Sequence, residues 1–343
     1  MKNATRKLIV ASGVTCIIIS SLTISQNSFA QTEKMVQSKR DTSTVSGDYF
    51  QPGLVVYVPP QNLDLLTASD SKLAQYGIPS RPSAPSKLAE WKQAFGSVKH
   101  WVRPTFTLTN ETMDESDENW SGLTFLNLNS PASRVVGWWT QPYAYAPTQD
   151  QPAYSATWVG LGGAVDEPLI QGGTFSNVNS GGGGSYNVWY EIVQTNKQTE
   201  QNGQPAAVAV SGLNNQPGDQ MYCDIRYSNG TANFYYHDIT NGNAVSFSIT
   251  GITGFSNYGD VDWITERPDI NGAPAKYMAD YGSVTFTAEE GTPSSVSYPT
   301  VSSQYDTYYY VTENGNSNTD TLSYVSSHLN STGNFTTSWK NYS

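Results

Sequence analysis

The sequence predicts an all-β fold, two antiparallel sheets stacked as a sandwich or one sheet closed as a barrel, behind a small α-containing N-terminal segment. Two observations carry this expectation. From Trp120 onward about fourteen short runs, apolar or alternating, follow one another with no helical run between them. Turn chemistry separates many of them: Asn-Gly at 202–203, 229–230, 241–242, 271–272 and 314–315, and Pro217-Gly218-Asp219.

At the N-terminus, Lys2, Arg6 and Lys7 precede a mostly apolar stretch from Leu8 to Ile24, and Ser28-Phe29-Ala30 supplies a small-residue exit. This pattern reads as a signal peptide cleaved near Ala30, hence a secreted protein, with a membrane anchor as the alternative. No later apolar run approaches membrane-spanning length. Residues 31–52 are polar and read as a flexible leader. Leu54 to Val58 reads as a short strand ended by Pro59-Pro60. Thr67 to Gly77 reads as a short helix with a Ser or Asp cap and Gly77 as its stop. Ser86 to Phe95 reads as a second helix, with Leu88, Trp91 and Phe95 on one face.

The strands expected after these are 120–127, 135–141, 154–161, 168–176, 186–194, 206–213 and 221–227. They continue at 232–238, 244–250, 261–266, 281–287, 306–312, 321–326 and 334–340. Tyr227 to Phe234 and Ile239 to Val245 read as hairpins. Ser180 to Ser185, with four glycines and no helix after it, reads as a loop rather than a phosphate cradle.

Charge divides the chain. Residues 31–113 carry nine basic and seven acidic side chains, whereas 114–343 carry six and twenty-two. An acidic body argues against nucleic-acid binding. It suits a protein that works in acid, and equally one that only needs solubility. The basic segment reads either as an intramolecular pro-segment held partly by electrostatics or as an extension that stays attached. The chain thus divides into 1–30, 31–113 and a β domain over 114–343. After the signal only Cys223 remains, so no internal disulfide forms, and Cys223 reads as a small buried apolar residue.

Most hydrolytic constellations are missing. His100, His237 and His328 are isolated and there is no H-E-x-x-H, which argues against a zinc site. There is no G-x-S-x-G elbow, and neither Asp-Thr-Gly nor Asp-Ser-Gly occurs. Any catalysis must then rest on carboxylates, amides or aromatics, with no cofactor and no metal. Three stretches concentrate such groups. Val261-Asp-Trp-Ile-Thr-Glu-Arg-Pro268 carries Glu266 to a strand end, with Asp262 and Ile264 on the same face. Pro168-Leu-Ile-Gln-Gly-Gly173 takes Gln171 out of an apolar strand into two glycines. Tyr186-Asn-Val-Trp-Tyr-Glu-Ile-Val193 sets Glu191 on the face of Trp189 and Val193. The expectation is that these three strands lie side by side. The plain alternatives are a turn-edge amide at Gln171, a solvent-facing Glu191, and a surface ion pair between Glu266 and Arg267.

Six segments, in order, resemble the glutamic peptidases (eqolisins), in a bacterial-type form. They are Asn119-Trp-Ser-Gly122, Ala156-Thr-Trp-Val-Gly-Leu161, Leu169-Ile-Gln-Gly-Gly173, Tyr186-Asn-Val-Trp-Tyr-Glu191, Trp263-Ile-Thr-Glu266 and Ala279-Asp-Tyr-Gly-Ser-Val-Thr-Phe-Thr287. Upstream, Ala74-Gln-Tyr-Gly-Ile-Pro-Ser-Arg-Pro82 and Trp91 also look like bacterial members. The resemblance implies a lectin-like sandwich of two antiparallel, about seven-stranded sheets that cleaves protein or peptide substrates in acid. It implies Gln171 and Glu266 as the catalytic dyad, Glu191 and Trp189 as supporting residues, and Trp158 as a cleft aromatic. Two family carboxylates are replaced here, by Gly162 and Asn187, which leaves the pH dependence open. Extra length from Arg267 to Lys276 leaves the adjacent loop open. The competing expectations are a secreted carbohydrate-binding sandwich, using its many tyrosines and tryptophans for stacking, and an inactive family member.

Overall fold

The computed structural model describes residues 49–113, 119–127, 132–147, 151–163, 168–179, 183–255, 260–292, 294–299, 306–314 and 320–343. The expected signal peptide, nearly all of the leader and residues 180–182 of the 180–185 loop lie outside them.

All fourteen expected runs form strands, with ends shifted by a residue or two except at 206–213, where only Val208–Val210 pairs, and at 281–287, whose strand runs on to Thr292. An eight-stranded sheet runs Asp306–Val311, Trp120–Asn127, Asp260–Glu266, Ala153–Gly162, Leu169–Val178, Gly184–Val193, Val208–Val210, Phe106–Leu108, antiparallel throughout. The second sheet has eleven strands. Its centre is Asn243–Thr250, Thr231–Asp238, Gln220–Ser228, Arg134–Thr140, Ser283–Thr292 and Asn334–Trp339. The two pack face to face, not as a barrel, around one core that takes Leu123, Val159, Ile170 and Tyr190 from the smaller sheet. Val135, Ile225, Phe234, Phe247 and Phe286 come from the larger. Each such aromatic removes about 150–250 Å² from water, roughly 4–6 kcal/mol before the entropy of ordering is subtracted.

The expectation of about seven strands per sheet is an undercount. The N-terminal segment adds Leu54–Tyr57 and His100–Trp101 to the larger sheet and Phe106–Leu108 to the smaller, and short C-terminal strands add the rest. Between these additions, the helices Asp70–Ala74 and Pro85–Trp91 cover the outer face of the larger sheet. Leu73, Ile78, Trp91 and Phe95 bury themselves there against Val136, Tyr222 and Tyr235. Ser69 caps the first helix and Gly77, at φ +67°, follows it. The Asn-Gly pairs 202–203, 229–230 and 271–272 have positive φ at both residues, the geometry of tight hairpins.

Gln171-Gly172-Gly173 does not leave its strand. All three lie inside Leu169–Val178. Glycine is needed because neighbours crowd the backbone: a Cβ at Gly172 would meet the Tyr236 hydroxyl at 2.1 Å, and one at Gly173 the Thr157 carbonyl oxygen at 2.0 Å. The second contact is with main chain and cannot rotate away. Gly173→Ala is therefore expected to destabilise the fold by about 3 kcal/mol. An unchanged Tm would show that the two strands separate without penalty.

Buried titratable groups tilt the fold toward acid. Burial pushes Glu289 up to about 7, against the pull of Lys87 at 3.1 Å and with the push of Glu90. Burial likewise pushes Asp238 up to about 7, the Asn241 N–H opposing and Asp219 adding a like charge. A raised carboxyl contributes stability that is present below its unfolded pKa and lost as pH rises through its folded one, here between about 4 and 7. Burial holds His237, whose ring bonds the Ala94 carbonyl, down at about 4, so its contribution runs the other way and fades as pH falls below 6.5. Two carboxyls outweigh one imidazole. Tm is expected to rise from pH 8 to pH 5; a fall over that range in thermal scans would contradict the sign.

Candidate active site

The face of the smaller sheet turned away from the main core carries a second buried cluster of Trp120, Trp158, Trp189, Phe175, Ile264, Leu169 and Met113. Side-chain alternation places all the expected site residues on this face. They fall in three ladder rows. One reads Asp262, Gly160, Gln171, Glu191; the next Ile264, Trp158, Gly173, Trp189; the third Glu266, Ala156, Phe175, Asn187. The three expected strands are thus not contiguous: Ala153–Gly162 sits between Asp260–Glu266 and Leu169–Val178. It is this inserted strand that brings Trp158 into the site.

Gln171 and Glu191 face each other directly, both fully buried. The Gln171 amide approaches Glu191 Oε2 at 3.5 Å and donates to the Met113 carbonyl at 3.2 Å, while the Met113 N–H donates to the same Glu191 oxygen at 2.9 Å. Gln171 Oε1 has no hydrogen-bond partner among the described residues. Glu266 is also fully buried, and its Oε2 accepts from the Trp158 indole N–H at 2.7 Å. Trp158 is packed edge-on against Trp120, with ring centroids 5.0 Å apart, and Trp189 is stacked on Phe175 at 5.2 Å. The alternatives of an exposed Glu191 and a surface Glu266–Arg267 pair fail, since Arg267 is only 1% exposed as well.

Gln171 and Glu266 are not ladder neighbours. They are two strands and two rows apart, about 10 Å across the sheet and about 13 Å along it at standard spacings. Trp158 stands in the middle row between them, and its indole meets the Glu266 carboxylate.

Sequence reasoning placed Asp262 on this face but gave it no role. It is fully buried, level with Gln171, and its Oδ2 lies 3.5 Å from where a Cβ at Gly160 would stand. Burial pushes Asp262 well up, the nearby Thr124 hydroxyl opposing and Asp260 adding a like charge. The spacing i, i+4 to Glu266 was the available signal. Met113, from outside the matching segments, gave none. Gly162 has φ +80°, and the Pro168 carbonyl oxygen lies 2.1 Å from where its Cβ would be, so this backbone has no room for an acidic side chain there. Asn187 lies at the exposed end of its strand. Among the described residues, no three His, Cys, Asp or Glu are grouped to hold a metal ion.

The comparison with known families gives this sandwich its class, a peptide-bond hydrolase. The chain belongs to the Peptidase A4 family, whose model matches residues 118–338. Among solved structures it is similar to scytalido-glutamic peptidase with a transition state analog inhibitor, at 19% identity and a TM-score of 0.49, over 65% of this chain and 98% of that one. It is similar, too, to SCP-B, a member of the eqolisin family of peptidases in a complex with the tripeptide Ala-Ile-His, at 17% identity and 0.46, over 65% and 98%. No curated protein matches the chain.

Proposed function

We propose that the protein is an exported, acid-active endopeptidase in which Glu266 and Gln171 activate water against a peptide carbonyl. One observation carries the reading: the buried Gln171 amide, braced by Glu191, donates to a main-chain carbonyl, that of Met113. An amide that polarises one peptide carbonyl here can polarise another. Ionised Glu266, held by Trp158, takes a proton from water as it attacks the carbonyl carbon. Gln171 Nε2–H donates to the developing oxyanion, and its Oε1 is left to orient the water. Protonated Glu266 then returns its proton to the leaving amine. The substrate is an extended peptide, and no step calls on a cofactor. Burial favours the uncharged form of Asp262, level with Gln171, and so works against negative charge near the oxyanion.

The test is casein hydrolysis from about pH 2 to 7, bracketing the carboxylate range, with pepstatin and chelators present, for wild type beside Glu266→Gln and Gln171→Ala. Activity in acid that resists both additives and is lost in both variants supports the dyad. Activity that persists in either variant moves the chemistry elsewhere. Glycan binding with no hydrolysis at any pH would favour the carbohydrate-binding alternative.

A further inference from the structure

One polar row crosses the site face from strand to strand. Ladder pairing sets Thr124 beside Asp262, Asp262 beside Gly160, Gly160 beside Gln171 and Gln171 beside Glu191. All five residues are buried, so each polar group needs a partner to offset the water it has lost. On the Glu191 side the Gln171 amide nitrogen meets Glu191 Oε2 and the Met113 carbonyl. Both are acceptors, and this fixes which end of the amide is nitrogen. The other end, Oε1, has no hydrogen-bond partner among the described residues, and neither have the two Asp262 oxygens; the Thr124 hydroxyl is near Asp262 but not at bonding geometry. Only Gly160 separates these two groups in the row. Its φ is not positive, so the backbone conformation does not call for glycine there. What glycine does is keep that part of the face bare: a Cβ would stand 3.5 Å from Asp262 Oδ2 and 3.0 Å from Leu169 Cδ1.

We propose that Asp262 is a positioning residue for Gln171: its carboxyl O–H donates across Gly160 to Gln171 Oε1 and keeps the amide N–H turned to the scissile carbonyl. The inference rests on the reading of Gln171 as the oxyanion donor given above. A carboxylate and an amide oxygen are both acceptors and repel; a proton on the carboxyl turns them into a donor–acceptor pair. Burial favours that protonated form, the Thr124 hydroxyl opposing and the like charge of Asp260 adding to it. The other titratable side chains on this face are Glu266, on the same strand as Asp260 and Asp262, and Glu191 beyond Gln171, while Glu111 enters from the stretch that ends at Met113. Each is a carboxyl, so a charge on any of them holds the proton on Asp262 more firmly. Donation to Oε1 draws density away from the amide nitrogen and makes its N–H a better donor to the oxyanion. The second lone pair of Oε1 stays available to the attacking water. Once Asp262 ionises, its charge faces those lone pairs, the amide loses its set orientation, and the rate falls. Asp262 thus closes the neutral side of the pH profile, as ionisation of Glu266 opens the acid side.

The experiment measures kcat and KM on casein from about pH 3 to 9, spanning the ordinary and the raised carboxyl range, for wild type, Asp262→Asn, Asp262→Leu and Gly160→Ala. Asp262→Leu is repeated in the Gln171→Ala background. Asparagine keeps the volume and offers an N–H donor that does not titrate. Asp262→Asn is therefore expected to match wild type in acid and to hold its rate above the pH at which wild type declines. Asp262→Leu removes the donor and Gly160→Ala puts a methyl in its path, so each lowers kcat by about tenfold with KM unchanged. In the Gln171→Ala background Asp262→Leu costs nothing further, since its route to the chemistry is that amide. A merely structural role would cost the same in both backgrounds. The inference is overturned by superimposable profiles for wild type and Asp262→Asn, by a folded Asp262→Asn inactive at every pH, or by an equal cost of Asp262→Leu in both backgrounds. If neither Asp262 variant folds, Gly160→Ala decides, and an unchanged kcat there overturns the inference. None of these results touches the dyad, which falls instead if Glu266→Gln or Gln171→Ala keeps wild-type activity.

Discussion

Glu266→Gln is expected to lower kcat/KM for peptide hydrolysis by about 10⁴-fold, the upper end for a group that serves as both base and acid. The substitution is a fair one sterically. A glutamine keeps an oxygen that accepts from the Trp158 indole, so the 2.7 Å contact and the Trp120–Trp158 packing survive. What is lost is the capacity to take a proton from water and give it to the leaving amine. Near-UV circular dichroism dominated by the buried tryptophans should be unchanged, which separates lost chemistry from lost structure. A variant that retains a tenth of wild-type activity would exclude Glu266 as the base, and Asp262, four residues earlier on the same face, would be the carboxylate to test next.

The second large effect is expected at Gln171. Gln171→Ala removes the donor to the substrate carbonyl, for a fall in kcat of about 10²–10³, roughly 3–4 kcal/mol. It also takes one contact from Glu191, a fully buried carboxylate, so a modest drop in Tm accompanies the loss of rate. Gln171→Glu separates the two effects. It keeps the volume and replaces the amide by a group that, once ionised, repels both Glu191 and the oxyanion. Its residual activity is therefore expected only at the acid end of the profile, where the new carboxyl is neutral. Activity that instead rises with pH would mean that the side chain at 171 acts as a base and not as a fixed dipole.

Much of this molecule was legible before any coordinates. The Asn-Gly pairs mark hairpins because only residues tolerant of positive φ fit a two-residue turn, and 202–203, 229–230 and 271–272 all have that geometry. Alternation put Asp262, Ile264 and Glu266 on one face, and the ladder agrees. Besides the strand inserted between Asp260–Glu266 and Leu169–Val178, two expectations met a different physical answer. The glycines after Gln171 read as a turn, since local sequence does not reveal that a tyrosine hydroxyl and a neighbouring carbonyl press against that strand. The seven-stranded sheets grew to eleven and eight because edge strands are recruited from far upstream, and edge recruitment depends on which backbone groups are left unpaired.

By itself the sequence determined the strands, their inward and outward faces, the turns, and the types of residue available for catalysis, because these follow from period-two alternation and local backbone preference. Only the tertiary structure decided which strands are neighbours, and that decided the site. Strand order put Trp158 between Glu266 and Gln171, register set Glu191 opposite Gln171, and the stretch ending at Met113 brought a main-chain carbonyl onto the Gln171 amide. These are long-range pairings, selected by the total burial and hydrogen bonding of the whole sandwich, and no window of the sequence contains both partners.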